Sequence, residues 1–316
     1  DGRFAAMRGV VAAALLLEAA ALRAVTLVTF DVDGTLVRGS GSEAEASGHA
    51  RAFAHAVGYT LGGGTPTPLP AEVLPPEKYH GSTDGLIILN LAHSALGVPA
   101  EVAVERLPEV WQRMHEYFAS LSDDEAVAGI GVLPGVISTL RRLAGEGSII
   151  CGLVTGNVEG IARKKMRAVG ILETGALAPP APDQLEKVWA GEEGSAFLGG
   201  FGSDYCSGII AEADRNHLDR GEQIAIAVRR CRTTLPEGTE VAKVVHVGDA
   251  PSDVLAARSC VGKLGCTVGV VGVATGRYSA SLLRELAGEP ETGVWEPYVL
   301  DEGLNDAEFL SIFGIQ

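Results

Sequence analysis

Residues 29–37 read TFDVDGTLV, and this stretch decides the fold class of the 316-residue chain. It completes an apolar segment, TLVTF (26–30), and continues at once into Asp31 and Asp33, which are followed by a glycine and a threonine. A nearly uninterrupted apolar strand is typical of a parallel sheet that helices cover on both faces. Because ligands bind at the carboxyl ends of such strands, the two carboxylates stand where a functional site is expected.

Three further segments share this strand character. Each is rich in Val, Ile or Leu, namely SIICGLV (148–154), AKVVHV (242–247) and TVGVVGVA (267–274). Helical patterns alternate with them at 134–147, 158–170 and 251–259. The alternation of strands and helices predicts an α/β fold class, a Rossmann-like open parallel sheet with helices on both faces.

Residues 41–130 differ from the rest, because they contain helical patterns without a convincing buried strand. The helices are predicted over 42–58, 82–97 and 99–121, and a loop rich in Gly and Pro spans 61–81. We therefore predict an inserted helical domain at 41–130 and an α/β core domain made of 26–40 and 131–316.

Two other segments fall outside this scheme. Residues 1–25 are largely apolar and are interpreted as an N-terminal apolar helix or the remnant of a leader. Glu18 and Arg23 interrupt the apolar run, which is too short to span a bilayer, so no membrane partner is expected. Residues 173–200 are predicted to form an extended surface excursion.

Charge and cysteine content limit the possible partners. The chain has 25 Lys and Arg against 40 Asp and Glu, and its formal net charge of −15 repels a phosphate backbone, so no nucleic-acid partner is expected. The five cysteines form no CxxC pair, which argues against a zinc site. Reduced thiols and the lack of a glycosylation sequon favour a cytoplasmic protein, or an organellar one if residues 1–25 are a leader remnant. A monomer and a homodimer are both compatible with the sequence.

Polar residues follow three of the predicted strands directly. They are Asp31-Val32-Asp33-Gly34-Thr35, Thr155-Gly156-Asn157 and Gly248-Asp249-Ala250-Pro251-Ser252-Asp253. Clustered carboxylates repel one another, so one of them is protonated or a cation sits among them. Mg²⁺ prefers oxygen ligands and commonly shares its shell with a substrate phosphate. The pattern therefore predicts a Mg²⁺ site for phosphoryl transfer, although Asp253 is equally suited to cap the following helix.

The same segments resemble a known family. TFDVDGTLV, LVTGN and VVHVGDAPSDV are similar to the first, second and fourth motifs of the haloacid dehalogenase-like hydrolase superfamily, and they occur in its order. The helical insertion after the first motif resembles that superfamily's type-1 cap. The resemblance covers roughly residues 26–280, and GSTDG (81–85) is similar to a stretch in the caps of phosphoglycolate-phosphatase-like members.

The resemblance implies a role for each matching residue. Asp31 corresponds to the nucleophile that forms an aspartyl-phosphate, and Asp33 to the general acid and base. Phosphate-binding residues are expected to be Thr155, Gly156, Asn157 and Arg215, and metal-binding residues Asp31, Asp33, Asp249 and Asp253. Ser82, Thr83 and Asp84 are cap residues that either face the substrate or cap the following helix.

The third motif of the superfamily supplies a cation, usually lysine, and three residues are candidates for it. Arg215 precedes a predicted helix that leads into the third strand, which is where the cation usually sits. Lys164 and Lys165 lie on the helix after LVTGN, at positions that suggest too great a distance. We expect Arg215 to be this cation, with a surface residue as the alternative.

The resulting hypothesis is a Mg²⁺-dependent phosphatase of a small phosphorylated metabolite, with 2-phosphoglycolate as the best single substrate. A sugar phosphomutase of the same superfamily is one alternative. A catalytically quiet binding or regulatory member is the other.

Overall fold

The computed structural model describes residues 23–39, 47–66, 81–177, 198–210, 212, 215–304 and 306–316. Parts of three predicted segments lie outside the described residues. They are 1–22 of the predicted N-terminal helix or leader, 40–46 at the start of the predicted insertion, and 178–197 of the predicted excursion. Within the described part, no helix combines the length and apolar character of a membrane span.

A six-stranded parallel sheet forms the centre of the molecule. The strands are β1 (Arg23–Phe30), β4 (Ile149–Thr155), β5 (Gly199–Phe201), β6 (Thr239–Gly248), β7 (Thr267–Val273) and β8 (Trp295–Leu300). Their order in the sheet is β5-β4-β1-β6-β7-β8, and every neighbouring pair is parallel. The four strands predicted from apolar runs are β1, β4, β6 and β7, and the predicted fold class is confirmed.

Helices cover both faces of this sheet. They are α5 (Val136–Ala144), α6 (Glu159–Ala168), α7 (His217–Thr234), α8 (Pro251–Ser259), α9 (Ala280–Ala287) and α10 (Asp306–Ser311). Val28 and Phe30 of β1 pack with α5, α6 and α10, whereas Leu27 packs in the cluster of α7, α8 and α9. Successive residues of a strand point to opposite faces, so an unbroken apolar strand fills both cores.

In the described part of the chain between β2 (Val37–Gly39) and β3 (Ile130–Val132), four helices follow one another. They are α1 (Gly48–Thr60), α2 (Asp84–Leu96), α3 (Ala100–Ser120) and α4 (Asp123–Ala126), and we call them the helical insertion. β2 and β3 pair in antiparallel fashion at its base. The insertion has its own apolar cluster, into which Val158 and Ile161 of the α6 region also pack. The domain boundaries at 41 and 130 stay a prediction.

Two strands of the sheet differ from the expectation. β5 lies partly within the predicted excursion of 173–200, and its sequence Gly-Gly-Phe has no apolar run that reveals a strand. β8 contains a proline, which is unusual in a strand, but β8 lies at an edge of the sheet. Edge strands tolerate proline because one side of their backbone needs no ladder partner.

Candidate active site

The strand order brings the three predicted motifs to one edge of the sheet. β1 lies between β4 and β6, so its carboxyl end is flanked by the ends of both. Asp31 follows β1 directly, Thr155 is the last residue of β4, and Asp249 follows β6. Parallel strands end at the same edge, and for this reason segments far apart in sequence meet there.

Three aspartates form the acidic centre of this edge. Asp31, Asp249 and Asp253 each offer a carboxylate oxygen, and these oxygens lie within 4.8 Å of one another. All three side chains are buried. The Oδ2 atom of Asp249 is buried and has no hydrogen-bond partner among the described residues, which leaves it as a candidate ligand atom for a cation.

Glycines allow the backbone to approach Asp249 closely. Gly34 has a φ of +94°, and a Cβ there would lie 2.4 Å from Asp249 Oδ2. A Cβ on Gly276 would lie 1.7 Å from the same oxygen. The glycine of the DVDGT stretch is therefore required both for its left-handed backbone and for the space that it leaves.

Arg220 of α7 bridges two of the three carboxylates. Its Nη1 donates to Asp31 Oδ1 at 2.6 Å and to Asp253 Oδ1 at 2.8 Å. Its Nη2 donates to the carbonyl oxygen of Gly81, at the entry to the insertion helix α2. The guanidinium is buried. Through these hydrogen bonds it connects Asp31, the candidate nucleophile, with Asp253 of the motif after β6 and with Gly81 of the helical insertion.

The pKa values of the aspartates reflect this crowding. Burial raises the pKa of Asp31 to about 6, with Arg220 opposing and the charges of Asp253 and Asp33 reinforcing the shift. Burial and the charges of Asp253 and Asp31 raise the pKa of Asp249 to about 8. Asp253 goes the other way, because Arg220 and a hydrogen bond from His246 overcome the effect of burial and lower its pKa. The raised pKa of Asp249 indicates that its carboxylate lacks a neighbouring positive charge sufficient to offset burial and the nearby aspartates.

His246 lies behind this cluster on β6. Its Nε2 is 3.2 Å from Asp253 Oδ1, and its Nδ1 is 3.1 Å from Thr29 Oγ1. The backbone N–H of Ala250 donates to the other oxygen of Asp253 at 3.0 Å. Asp253 therefore combines a helix-capping contact with contacts inside the acidic centre.

Asp33 lies in a second group of contacts, with residues from α6 and the β4 loop. Lys165 Nζ is 3.0 Å from Asp33 Oδ1 and 2.9 Å from Oδ2, and Asn157 Nδ2 donates to Oδ2 at 2.9 Å. Burial favours a higher pKa for Asp33, but the charge of Lys165 and these hydrogen bonds lower it to about 2. About half of the Asp33 side chain is exposed, at 49%, so it faces open space as well as Lys165.

The loop after β4 is shaped by Thr155 and Gly156. Thr155 Oγ1 accepts a hydrogen bond from the backbone N–H of Asn157 at 3.3 Å. The Gly156 carbonyl accepts from the backbone N–H of Asp84 at 2.8 Å. A Cβ on Gly156 would lie 2.4 Å from the Ser82 carbonyl oxygen, so only glycine allows the insertion to approach this loop so closely.

The insertion contributes residues 81–84 and His49 to the site. Thr83 caps α2, since its Oγ1 accepts from the backbone N–H of Leu86. Asp84 is buried and accepts from Val158 N at 2.9 Å and contacts His49 Nε2 at 3.0 Å. Ser82 Oγ is buried and has no hydrogen-bond partner among the described residues. A substrate role for Ser82, Thr83 and Asp84 stays a prediction.

The structure bears on the candidates for the third-motif cation. Arg215 is exposed and pairs with Glu212. Among the described residues, Arg220 contacts Asp31 and Lys165 contacts Asp33. The sequence pattern had suggested that Lys165 lies too far along its helix. The helical spacing of neighbouring apolar residues indicates that Arg220 and Lys165 are both buried. Arg220 precedes the buried Ile224 and Ala227 of α7 by four and seven residues, and Lys165 follows the buried Ile161 by four.

The residues present fit a divalent cation. Four carboxylates, Asp31, Asp33, Asp249 and Asp253, meet the two cations Arg220 and Lys165, so two negative charges remain, apart from the histidines, when all four are ionised. The raised pKa of Asp249 means that a cation is needed to keep that carboxylate ionised at neutral pH. The unpartnered Asp249 Oδ2 adds a free oxygen to an all-oxygen donor set. Such a set suits Mg²⁺, with Asp31, Asp249 and Asp253 as the residues that would hold it.

The chain was compared with family models, curated proteins and solved structures. No family model matches the chain, and no curated protein matches it. A solved β-phosphoglucomutase from Clostridium difficile is similar at 14% identity and a TM-score of 0.39, over 92% of this chain and 95% of that one. An L-2-haloacid dehalogenase from Xanthobacter autotrophicus is similar at 13% identity and a TM-score of 0.34, over 92% of this chain and 100% of that one. Likeness at this level adds nothing to the contacts described above.

Proposed function

We propose that the chain is a Mg²⁺-dependent phosphatase of the haloacid dehalogenase-like superfamily, acting on a small phosphomonoester through an aspartyl-phosphate on Asp31. The observation that carries this proposal is the meeting of Asp31 with Arg220 and with Asp249, whose buried Oδ2 has no partner. A buried carboxylate beside a fixed cation and a set of carboxylate oxygens that fits a metal ion is suited to attack on a phosphoryl group.

In the first half-reaction, Asp31 attacks phosphorus. Arg220 holds Oδ1, which leaves Oδ2 to form the new bond to phosphorus. The bond from phosphorus to the ester oxygen breaks, and the leaving alcohol takes a proton from Asp33. In the second half-reaction, water attacks phosphorus and gives its proton to Asp33, while the bond to Asp31 breaks and phosphate is released.

Asp33 needs different protonation states in these two steps. With Lys165 in contact, its carboxyl is ionised at neutral pH, which suits the base toward water. The acid role needs a proton on the same group. A phosphoryl group brings negative charge close to Asp33, which raises the carboxyl's pKa while Lys165 stays in place.

Mg²⁺ at Asp31, Asp249 and Asp253 would neutralise charge on the transferring phosphoryl group. Arg220 adds a second positive charge at the nucleophile, and Asn157 orients Asp33. Neutralisation matters because Asp31 is itself anionic and must approach an anionic substrate.

A small substrate is favoured by the close contact between the insertion and the strand ends. Ser252 Oγ donates to the Gly81 carbonyl at 2.9 Å, and a Cβ on Gly81 would lie 2.2 Å from Ser252 Oγ. Together with the resemblance of GSTDG to phosphoglycolate-phosphatase-like caps, this makes 2-phosphoglycolate the first substrate to test.

The test is a screen of small phosphorylated metabolites with wild type, Asp31→Asn and the control Asp124→Asn, each with Mg²⁺ and with EDTA. Asp124 is an exposed residue of α4, so its amide variant matches the chemistry without touching the site. We expect phosphate release by wild type and Asp124→Asn in Mg²⁺ alone, and none by Asp31→Asn. Release by Asp31→Asn would contradict the nucleophile assignment, and formation of a bisphosphorylated sugar without phosphate release would favour a phosphomutase.

A further inference from the structure

We propose that His49 of the helical insertion, oriented by Asp84, is a positioning residue that holds Lys165 on Asp33. The inference rests on the proposed phosphatase activity, because it assigns Asp33 the proton transfers. It adds to that function a connection between the insertion and the acid and base of the reaction.

The contacts of Lys165 account for its full hydrogen-bonding capacity. Its Nζ lies 2.8 Å from Asn157 Oδ1, 3.0 and 2.9 Å from the two carboxylate oxygens of Asp33, and 3.2 Å from His49 Nδ1, so three partner residues share its three N–H groups. An ammonium group has three N–H donors and no acceptor, so Nδ1 of His49 must accept. The side chain of Lys165 is 2% exposed, and water therefore does not replace a lost partner easily.

The other imidazole nitrogen has a partner that determines the tautomer. His49 Nε2 lies 3.0 Å from Asp84 Oδ2, and a carboxylate accepts hydrogen bonds only. Nε2 therefore carries the proton and Nδ1 is free to accept from Lys165. His49 is 15% exposed and Asp84 4% exposed, so both contacts are shielded.

Asp84 is itself held against the core. Its Oδ2 accepts from Val158 N at 2.9 Å, and its backbone N–H donates to the Gly156 carbonyl at 2.8 Å. The series Asp84, His49, Lys165 and Asp33 thus runs from α2 through α1 and α6 to the end of β1. We call it the relay. It is complete only when the insertion packs against the loop after β4.

Without the acceptor on His49, Lys165 would lose one of its three anchors. The ammonium could then settle between Asn157 and a single oxygen of Asp33, and the carboxyl would turn away from the leaving group. General acid catalysis depends on this alignment and contributes roughly 10²- to 10⁴-fold in rate. We therefore expect a loss of roughly 10- to 100-fold, as part of that contribution.

The decisive measurement is how kcat/KM depends on the leaving group. An alkyl phosphate needs a proton from Asp33 when its alcohol departs, whereas 4-nitrophenyl phosphate leaves as a stable anion. We expect His49→Leu to lower kcat/KM roughly 10- to 100-fold for the alkyl substrate and less than about threefold for the aryl substrate. In the Asp33→Asn background, His49→Leu should cause no further loss on the alkyl substrate, because the two residues act together.

Matched variants separate positioning from folding. In His49→Gln the amide oxygen can accept from Lys165 while its N–H₂ donates to Asp84, so this variant should recover most of the activity. Asp84→Asn should resemble His49→Leu, and His93→Leu, at an exposed position of α2, should resemble wild type. An equal loss for both leaving groups, or no loss in His49→Leu, would overturn the inference.

Nitrogen NMR of the imidazole tests the relay without any turnover. We expect the Nε2–H tautomer of His49 in wild type and its loss in Asp84→Asn. A wild type that hydrolyses no phosphate ester would overturn the proposed function. In that case the NMR result alone tests whether Asp84 and Lys165 orient His49 as proposed. A proton on Nδ1 of His49 in the wild type at neutral pH would overturn the relay.

Discussion

Arg220 Nη1 lies 2.6 Å from Asp31 Oδ1, although 189 residues separate the two in the chain. Both side chains are buried, at 3% and 7% exposure. A buried ion pair of this kind resists the loss of either partner, because the other charge is then left without compensation. The pair therefore bears on both the stability of the fold and the chemistry at the strand ends.

Replacing Arg220 tests this double role. We expect Arg220→Met to lower the free energy of unfolding by about 3–5 kcal/mol, since it leaves buried carboxylates unpaired. Arg220→Lys should retain more stability but lose roughly 100-fold in kcat/KM, because an ammonium cannot reproduce the fork. Urea unfolding and phosphatase kinetics measure the two effects. Arg229→Met, at an exposed position of the same helix, is the control, and an equal loss in that variant would contradict the prediction.

Binding of Mg²⁺ should stabilise the folded chain by an amount that grows with the logarithm of the free Mg²⁺ concentration once this exceeds the dissociation constant. A ligand present at 100 times its dissociation constant adds about 2.7 kcal/mol to the free energy of unfolding. We expect a rise in Tm with Mg²⁺ for wild type and for Asp124→Asn. Asp249→Asn should show little rise, because the unpartnered Oδ2 is then replaced or displaced. A full Mg²⁺ response in Asp249→Asn would place the ion elsewhere.

Gly34 should not tolerate a side chain. Its φ of +94° is unfavourable for alanine, and the added Cβ would lie 2.4 Å from Asp249 Oδ2. We expect Gly34→Ala to lower the free energy of unfolding by about 1–3 kcal/mol and to abolish Mg²⁺-dependent activity. Gly39→Ala in β2 is a matched control, since nothing lies within 4 Å of its Cβ position. Normal activity in Gly34→Ala would mean that the turn and Asp249 move apart readily.

Two neighbouring lysines should separate stability from activity. Lys164 Nζ donates to the carbonyls of Phe118 and Ala119, each at 3.0 Å, and also to that of Leu121 at the end of α3. Lys164→Met should therefore lower Tm with little change in kcat/KM, by about 1–3 kcal/mol in unfolding free energy. Lys165→Met should instead lower kcat/KM on alkyl phosphates by about 100-fold. The reverse pattern would contradict the assignment of both residues.

His115 on α3 should make stability depend on pH. Burial lowers its pKa from 6.5 to about 4, against a smaller opposite effect of Glu116. Protonation therefore favours the unfolded chain, so this contribution is fully present above pH 6.5 and is lost as the pH falls toward 4. Allowing for solvent screening of a partly exposed side chain, we expect a loss of about 1 kcal/mol between pH 7 and pH 5.

The comparison for that prediction is His115→Gln, which cannot titrate. Its unfolding free energy, measured by urea denaturation at both pH values, should change by about 1 kcal/mol less than that of wild type. Identical pH dependence in the two proteins would show that His115 does not carry the effect.

The polar side chains that reach the site from helices were harder to predict than those at the strand ends. Arg220 and Lys165 both lie on apolar faces of their helices, where a charge needs a buried partner. The spacing to Ile224 and Ile161 indicates burial, but the identity of the partner depends on how each helix packs on the sheet. His49 had no such signal, because its role depends on the position of α1 relative to α6.

The fold class and the strand-end motifs could be predicted from the amino-acid sequence. A parallel strand buried on both faces needs a contiguous apolar run, and residues that follow it directly must stand at the ligand-binding edge. The contact of Arg220 with Asp31 and the meeting of Lys165 and His49 near Asp33 became apparent only in the three-dimensional fold. Helix rotation and packing determine which side chains enter a shared site, and these depend on contacts between segments far apart in the chain.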